Sequence, residues 1–514
     1  MVPFLPLLYY DTVKKKLIRS VMYRRIVTAL ASEWFWRAML GLFVVQATYL
    51  ALFGQFSMAF DEHFHLAAIQ EYAKVIFPWQ VTQPPGPAEL SAFTTDGSYL
   101  YHYLMSFPYR GMEFITGSQT AHIVVLRLID VAIVVSGWFI FRRLLLELRL
   151  SKAATHYMLA LCMLMPMAPF MASQLTYDAL FFTFSALSVL LCIRFVRAMR
   201  EEKKLSLSLT AWTGAAVLAT LQVKYAFFPA ALGAGLYICG YFGWLAYTKR
   251  IKLYRIRQSW RKSFFKGAGA LSIGVFLLCS VLFVQRYGMN YLRYGSLMPQ
   301  CPVVLGHDRC LGFAPYGRDA GIREKGWYRS ISDSQKRAYP YGWYKKMIRE
   351  SYFAVGAKQL GYPVAQPIPV PYFAGKVLAA VGMFVLCFGL WRIVRGNVFA
   401  QLLMSIVIAY GAFLFAKNYG AFLATAVPVS IHGRYVLPFL PLMGYLVYRG
   451  VLPIMRRQAG RTFVALFAGC MLFASLWGGG ITAYVLRSDD SWYWQGAQSI
   501  SRTVRSIVWP VVIK

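Results

Sequence analysis

Apolar side chains in this chain fall in runs of about 20 residues, which is the length of helix that crosses a roughly 30 Å hydrocarbon layer. Of the 514 residues, 58% are apolar and only 14% are charged, whereas soluble proteins carry about 25% charged residues. Such runs exclude a soluble enzyme, a disordered chain and a small disulfide scaffold, and a β-barrel would alternate apolar and polar residues. The sequence predicts an all-α polytopic membrane protein with about eleven transmembrane helices.

The predicted helices alternate with a few polar segments and define the organisation of the chain. They occupy residues 36–56, 121–141, 153–172, 177–196, 207–223, 226–247, 267–285, 375–391, 399–416, 435–449 and 462–486. The predicted regions are a basic N-terminus (1–35), a transmembrane region (36–285) with a polar loop at 57–120, a second loop (286–373), a second transmembrane region (374–486) and a tail (487–514).

The basic residues predict the orientation in the membrane. Alternate segments, beginning with 1–37, hold more than half of the 54 Lys and Arg residues. Because cytoplasmic loops are enriched in these residues, we predict a plasma-membrane protein with a cytoplasmic N-terminus and with both long loops and the tail outside. The formal net charge of +34 follows from this topology and does not indicate a nucleic-acid partner.

The loop at 57–120 is acidic and carries the strongest functional signal. Its residues 62–74 have the pattern of an amphipathic helix that lies in the membrane interface, with an apolar face running from Phe64 to Val75. The adjacent acids Asp61 and Glu62 stand at the start of this helix. A helix N-terminus favours carboxylates, so one interpretation is a simple N-cap.

The other interpretation of these acids is a reaction site. Asp61, Glu62, His63 and His65 lie within five residues at a membrane edge, where ionisable residues are usually functional. One carboxylate could take a proton from an attacking hydroxyl while the other orients it. These four residues could in principle hold a divalent metal ion, but consecutive helical positions point in different directions, so not all four can converge. Asp61 and His65, which lie one turn apart, are the possible metal ligands.

Three further charged residues stand at predicted helix ends on the same outer side. Arg434 precedes a helix and could hold a phosphate through two parallel hydrogen bonds, or extend to the interface. Lys224 could likewise meet a phosphate or extend to the interface. Asp178 could be a second active-site carboxylate, but the sequence favours an N-cap.

The second long loop, 286–373, is basic and rich in aromatic residues, which suit phosphates and sugar rings as well as a membrane interface. Cys301 and Cys310 lie nine positions apart in it. In an oxidising compartment they are a candidate disulfide. A zinc pair is disfavoured because metal-binding cysteines are usually two to four residues apart.

The stretch at residues 60–65, FDEHFH, resembles the first-loop Asp-Glu motif of the GT-C membrane glycosyltransferases. The protein O-mannosyltransferase branch, with Phe-Asp-Glu-x-His-Phe, is nearest, although the histidines here fall at other positions. Three more short motifs resemble those of bacterial membrane proteins with a GT-C-like layout: Tyr177-Asp178, Lys224-Tyr225 and Gly433-Arg434-Tyr435.

This resemblance implies an inverting transfer of a sugar from a polyprenyl-phosphate-linked donor to a glycan, lipid or protein acceptor of the cell envelope. Asp61 would be the general base or an acid that orients the acceptor, and Glu62 would be its partner. The substrate-binding residues would be His65, Asp178, Lys224, Arg434 and Tyr435. It implies no required cofactor, with a divalent metal as an option.

Two other functions fit a chain of this kind. A lipid or glycan transporter would also carry ionisable residues near a membrane, but transporters often place them at the bilayer midplane. Here Asp130 is the main acid within a predicted span. A non-catalytic protein that assembles lipid-linked glycans would depend on the loop 286–373 and would tolerate loss of Asp61.

Overall fold

The computed structural model describes residues 24–58, 61–202, 205–251, 260, 267–352, 368–487 and 490–512. Phe60 of the motif, residues 1–23 of the basic N-terminus and residues 353–367 of the second loop lie outside this part of the chain. Throughout the described ranges the regular structure is helical, and the β-type pairing consists of one isolated bridge between Gly54 and Tyr493.

The helices are α1 (Glu33–Phe53), α2 (Glu62–Ala73), α3 (Leu100–Glu113), α4 (Gln119–Glu147), α5 (Lys152–Met163), α6 (Met167–Ala172), α7 (Tyr177–Arg197), α8 (Leu207–Val223), α9 (Phe228–Tyr247), α10 (Gly267–Phe283), α11 (Met289–Tyr294), α12 (Cys301–Leu305), α13 (His307–Cys310), α14 (Ala314–Glu324), α15 (Asp333–Tyr352), α16 (Pro369–Val394), α17 (Val398–Thr425), α18 (Leu440–Met455), α19 (Gln458–Leu476), α20 (Thr482–Arg487) and α21 (Gln498–Val512). A 3₁₀ turn at Gly433–Tyr435 precedes α18.

The prediction of an all-α polytopic membrane protein is confirmed. In the described part of the chain, nine helical segments are long and apolar enough to cross a membrane: those containing α1, α4, α7, α9, α10, α16, α17, α18 and α19. The predicted count of eleven is not confirmed. Helix α8 is apolar but shorter, and the predicted helix at 153–172 is divided into α5 and α6.

Capping residues explain where many of the helices begin. A Ser, Thr or Asn side chain accepts a hydrogen bond from the first helical turn, which satisfies an amide that has no partner within the helix. The helices capped in this way are α1 by Ser32, α4 by Ser118, α5 by Ser151, α7 by Thr176, α8 by Ser206 and α17 by Asn397.

The division between α5 and α6 occurs at Pro166, which has no amide hydrogen to continue the helix. The Ala168 amide bonds to the Met165 carbonyl, and the Leu164 carbonyl instead accepts from the Gly480 amide at 2.6 Å. Gly480 has a φ of +61°, which a glycine adopts without strain. A residue that follows the last span therefore completes the broken helix.

The segment after α19 also returns to the first span. The Gln55 amide donates to the Trp492 carbonyl at 3.0 Å, and the Trp494 amide donates to the Phe53 carbonyl at 3.1 Å. Trp492 and Tyr493 are buried there. The end of α1, just before Asp61, is thus fixed by residues from the far end of the chain.

Helix α7 is the most buried of the spans, and α16 and α19 are the least buried. Helix α7 packs between α4 and α8, while α9 packs on α17. The start of α7 and the end of α8 lie at the same end of the bundle as Asp61 and Arg434, because the side chains at these positions contact one another. We call this end the site end.

Helix α2 confirms the predicted helix after Asp61, but the side of the helix that is buried differs from the predicted apolar face. Glu62 and His65 are buried, whereas Phe64 and Val75 are only half-buried. The helix packs on α3 and buries polar side chains against protein. The amphipathic pattern did not predict this because the partners of these side chains lie far away in sequence.

Candidate functional site

Four residues that the sequence singled out meet at the site end: Asp61, Asp178, Lys224 and Arg434. We call them the polar cluster. Asp178 lies between two cations, since it forms an ion pair with the Lys224 ammonium, and its Oδ2 is 3.4 Å from Nη1 of Arg434. Nη2 of Arg434 is 3.9 Å from Oδ2 of Asp61. The cluster thus joins residues from four separate parts of the chain.

Asp178 is not the N-cap that the sequence favoured. The N-cap of α7 is Thr176, whose side chain accepts a hydrogen bond from the Asp178 amide at 3.3 Å. The Asp178 carboxylate lies in the first helical turn, where the helix dipole stabilises negative charge. Because it is only 1% exposed, its ion pairs are shielded from water and hold the two cations in place.

Lys224 does not extend to the interface, because its side chain is buried and paired with Asp178. Its ammonium lies over the rings of Tyr177, Phe181 and Tyr435, at 4.7, 5.4 and 4.6 Å from the ring centroids. Aromatic faces attract cations, so Tyr435 contributes through its ring. Burial lowers the pKa of Lys224, Asp178 opposes this shift and Arg434 adds to it, and together they bring the pKa to about 8.

Arg434 is buried at the start of the last-but-one span. A Cβ atom added to the preceding Gly433 would lie 2.5 Å from both Cα and N of Ser351. Helix α15 therefore approaches the 3₁₀ turn so closely that only glycine fits. This contact sets the depth at which the Arg434 guanidinium enters the cluster.

Asp61 is the accessible member of the polar cluster, with 63% of its side chain exposed. It occupies the N-cap position of α2, but its side chain makes no capping hydrogen bond. Its φ of +66° is a left-handed conformation that Asp tolerates better than most residues. The carboxylate is therefore accessible to solvent, and it does not cap the helix through its side chain as a simple N-cap would.

The surroundings of Glu62 do not suit an acid that takes part in a reaction. Its two oxygens accept hydrogen bonds from Nε and Nη2 of Arg127, each at 2.8 Å, and from the Met58 and Leu175 amides at 2.8 and 3.0 Å. Both side chains of the Glu62–Arg127 pair are 0% exposed. The expected catalytic role of Glu62 is corrected, because it has no free lone pair and no access to a substrate.

The two histidines of the motif point in different directions. His63 is exposed, whereas His65 is buried and approaches the ring of Tyr177 at 4.8 Å between centroids. Asp61 and His65 do not form a metal site together with a third ligand. Over the described residues, no group of three or more His, Cys, Asp or Glu side chains is placed to hold a metal ion.

Three contributors to the site were missed in the sequence. Arg127 is a charged residue inside an apolar span, and such a residue requires a buried partner; that signal could have found it. His102 lies on α3 and contacts His65. Lys417 lies on α17 with its ammonium 4.4 Å from the ring centroid of Tyr225, and its charge lowers the pKa of Lys224.

The two long loops contact each other. Cys301 and Cys310 are joined by a disulfide whose Cα atoms are 5.9 Å apart. Both cysteines pack against Ala88 and Ala92 of the acidic loop. Arg309 donates to the carbonyl oxygens of residues 84 and 86 at 3.0 and 3.1 Å. The acidic and basic loops are therefore joined to each other in these described parts.

Comparison with known proteins found a likeness to solved structures. A scan against protein-family models found no match, and no curated protein matched at a significant level. The chain is similar to the crystal structure of the Archaeoglobus fulgidus oligosaccharyltransferase in its apo form, at 10% sequence identity and a TM-score of 0.43. The match covers 86% of this chain and 56% of that one, so the chain spans about half of the length of that enzyme. A likeness of this size says nothing about the chemistry of the site.

Proposed function

We propose that this protein is an inverting glycosyltransferase that moves a sugar from a polyprenyl-phosphate-linked donor to a hydroxyl acceptor at the extracytoplasmic face of the membrane. The polar cluster carries the proposal. It combines two buried cations fixed by Asp178 with one exposed carboxylate, Asp61, at the end of a membrane-spanning bundle. The motif at 60–65 and the predicted topology are the basis for proposing the extracytoplasmic face.

The donor phosphate would bind by replacing Asp61 beside Arg434. The buried part of the cluster holds two cations, Lys224 and Arg434, beside one carboxylate, Asp178. Without a donor, Asp61 supplies the balancing charge at 3.9 Å from Arg434. A guanidinium binds phosphate oxygens in pairs, and a bound phosphate would release the Asp61 carboxylate toward the acceptor.

In the transfer step, Asp61 accepts a proton, and Lys224 and Arg434 stabilise the leaving phosphate. The acceptor hydroxyl oxygen attacks the anomeric carbon from the face opposite the phosphate, and its proton passes to Asp61. The bond between the anomeric carbon and the phosphate oxygen breaks, and its electron pair stays on the phosphate. Lys224 and Arg434 neutralise that charge in a site with little water. Inversion follows from attack on the opposite face.

The remaining site residues act by positioning. Glu62 and Arg127 fix the start of α2, and with it the backbone of Asp61. Arg127 also donates to the carbonyl oxygen of Gly54 at 2.6 Å, which fixes the end of α1. The reaction requires no metal ion, because Lys224 and Arg434 neutralise the leaving phosphate. A divalent ion beside Asp61 is the alternative, which chelation by EDTA would test.

The test is a glycan comparison by mass spectrometry. Cells would carry the native protein, no protein, or Asp61→Asn at matched membrane levels. We expect Asp61→Asn to lose one sugar from the surface glycan, as the null does, while a polyprenyl-linked sugar accumulates. Glu71→Gln is the matched control, because Glu71 lies on the same helix and pairs with Lys74 at the surface.

The outcome separates the three functions. Loss of the sugar with donor accumulating on the outer leaflet supports transfer, whereas accumulation on the inner leaflet would indicate a transporter. If Asp61→Asn behaves as the native protein while the null loses the sugar, Asp61 is not catalytic. An assembly protein would then be the better interpretation.

A further inference from the structure

Lys417 is an exposed cation within a membrane-spanning helix. It lies eight residues before Thr425, the last residue of α17. Charged residues inside a span are rare, and they are usually paired or mark the path of a substrate. The Lys417 ammonium contacts the ring of Tyr225, and among the residues that the structure describes no carboxylate forms an ion pair with it. The ammonium is therefore available to an anionic ligand.

Tyr225 connects Lys417 with the polar cluster. It directly follows Lys224, and its backbone amide donates to the hydroxyl of Ser98 at 3.2 Å, which ties this turn to the acidic loop. The Lys417 ammonium lies 4.4 Å from the centroid of the Tyr225 ring. Its charge lowers the pKa of Lys224, as expected of two ammonium groups that lie near each other. Lys417 is thus a third cation beside the two buried ones.

Helix α17 carries Lys417 at the border between its packed side and its exposed side. Tyr410, seven residues earlier and so on the same side of the helix, donates its hydroxyl to the Tyr435 carbonyl at 2.7 Å. Phe413 and Leu423 are exposed. Seven residues extend about 10 Å along a helix, so Lys417 lies about two turns closer to the helix end than Tyr410. It therefore stands between the exposed side of α17 and the turn that carries Lys224.

Lys376 is a second exposed lysine in a span, but its contacts differ. It lies seven residues after Pro369, the first residue of α16. Its ammonium is 4.8 and 5.9 Å from the ring centroids of Tyr372 and Phe373. Both rings belong to its own helix, as expected of a lysine that extends along the helix toward the membrane interface. Lys417 instead contacts a ring of another element, next to a residue of the polar cluster.

We infer that the Lys417 ammonium binds a phosphate oxygen of the polyprenyl-linked donor on the lipid side of the polar cluster. The inference rests on the proposed function, which supplies the identity of the ligand. A lysine ammonium is a compact charge that suits a phosphate oxygen. Lys417 neither accepts a proton nor forms a covalent bond in the reaction. It holds the phosphate before and during transfer alike, so its loss should weaken donor binding without slowing the chemical step.

The first test measures binding without a reaction. Purified full-length protein in detergent micelles would be titrated with polyprenyl phosphate, which carries no sugar, and the complex would be quantified by native mass spectrometry. We expect Lys417→Gln to raise the Kd about tenfold, which corresponds to one hydrogen bond to a charged group. Lys417→Arg should restore most of the affinity, because the charge remains. Lys376→Gln is the matched control and should leave the Kd unchanged.

The same titration identifies the source of the phosphate. Phosphatidylglycerol represents an ordinary anionic lipid, and inorganic phosphate represents a free anion. We expect the native protein to bind both more weakly than polyprenyl phosphate, and Lys417→Gln to change their binding by less than about twofold, the effect expected of a screened surface charge.

The second test measures transfer. In the membrane assay, purified protein is added to detergent-dissolved membranes from cells that lack it, which contain both substrates. We expect Lys417→Gln to need about ten times more membrane extract for its half-maximal rate while reaching the native maximal rate, because uniform binding affects KM alone. A lower maximal rate with an unchanged half-maximal point would indicate a structural role and overturn the inference.

The outcomes distinguish the inference from the proposed function. Equal weakening of polyprenyl phosphate and phosphatidylglycerol in Lys417→Gln, or an equal effect of Lys376→Gln, would show an ordinary interfacial lysine. Binding of inorganic phosphate as tight as that of polyprenyl phosphate would assign the site to a free anion. Each of these results overturns the inference while transfer stands. If the native protein binds polyprenyl phosphate through Lys417 but transfers no sugar, the proposed function fails and the phosphate site stands.

Discussion

Glu62 and Asp178 are both buried carboxylates beside a guanidinium group, yet their surroundings differ in balance. Glu62 faces one cation, Arg127, and all of its hydrogen bonds are made within the protein. Asp178 faces two cations, and the compensating carboxylate of Asp61 is exposed and 3.9 Å from Arg434. The Glu62–Arg127 pair is closed, meaning that its charges are paired inside the protein. In the polar cluster, the exposed Asp61 carboxylate can be replaced by an anionic ligand.

The comparison separates structural charges from functional ones. A buried charge that lacks a partner is costly, so a closed pair holds its helices together. A cluster that includes an exposed counter-charge can exchange that group for an anion from solution or lipid. Loss of Glu62 should therefore reduce stability first, and loss of Arg434 should reduce activity first.

The largest effect is expected at the closed pair. Glu62→Gln leaves the guanidinium of Arg127 buried without a counter-charge, and we expect the free energy of unfolding to fall by about 3–5 kcal/mol. The measurement is unfolding in detergent micelles by titration with a denaturing detergent. Glu71→Gln on the same helix should change it by less than about 1 kcal/mol. Equal changes in the two variants would show that the Glu62–Arg127 pair stabilises the protein no more than a surface pair does.

The next effect is expected at the open cluster. Arg434→Gln leaves the ion pair between Asp178 and Lys224 intact, so stability should change little. The initial transfer rate should fall about 10²–10³-fold, as when one group that stabilises developing charge is removed. Rates would be measured in the membrane assay, with Arg318→Gln in the second loop as the control. A loss of stability equal to that of Glu62→Gln would erase the distinction between the two regions.

A smaller effect tests how the cluster is supported. Gly433→Ala introduces a Cβ atom 2.5 Å from the Ser351 backbone, and we expect it to cost about 1–3 kcal/mol in free energy of unfolding. Gly420→Ala is the matched control, because nothing lies within 4 Å of an added Cβ there. An unchanged Gly433→Ala variant would mean that α15 does not set the position of Arg434.

The smallest effect is a pH dependence. The pKa of Lys224 is lowered to about 8, so its ammonium form is present below that pH and is lost as the pH rises through it. Donor binding should weaken about tenfold between pH 7 and pH 9. Lys224→Arg should remove this decline, because a guanidinium stays protonated. A persisting decline in that variant would assign it to another group.

Much of the fold follows from the sequence, because apolar runs report contact with lipid. The predicted helices at 177–196 and 207–223 correspond to Tyr177–Arg197 and Leu207–Val223. The run at 153–172 contains Pro166, yet the run alone did not show that the chain divides there. The group that completes the broken helix, the Gly480 amide, lies in a distant segment.

The site was predicted in part, for a related reason. Asp178, Lys224 and Arg434 stand out because each is a charge beside an apolar run. Glu62 stands out equally, but the sequence does not show that its side chain points toward Arg127, 65 positions away. His102 has no distinguishing neighbours in the sequence. Adjacent residues can therefore have opposite roles, and only the packing of α2 separates Asp61 from Glu62.

The contact between Gln55 and Trp492 has a consequence for the order of synthesis. The first span enters the membrane when most of the chain has not been made, and domains generally fold from the N-terminus as they emerge. Here the residues that hold the approach to Asp61 are translated long after Asp61 itself. The reaction site should thus stay unassembled until Trp492 has been translated, so that a product truncated before this residue would be inactive even with every catalytic residue present.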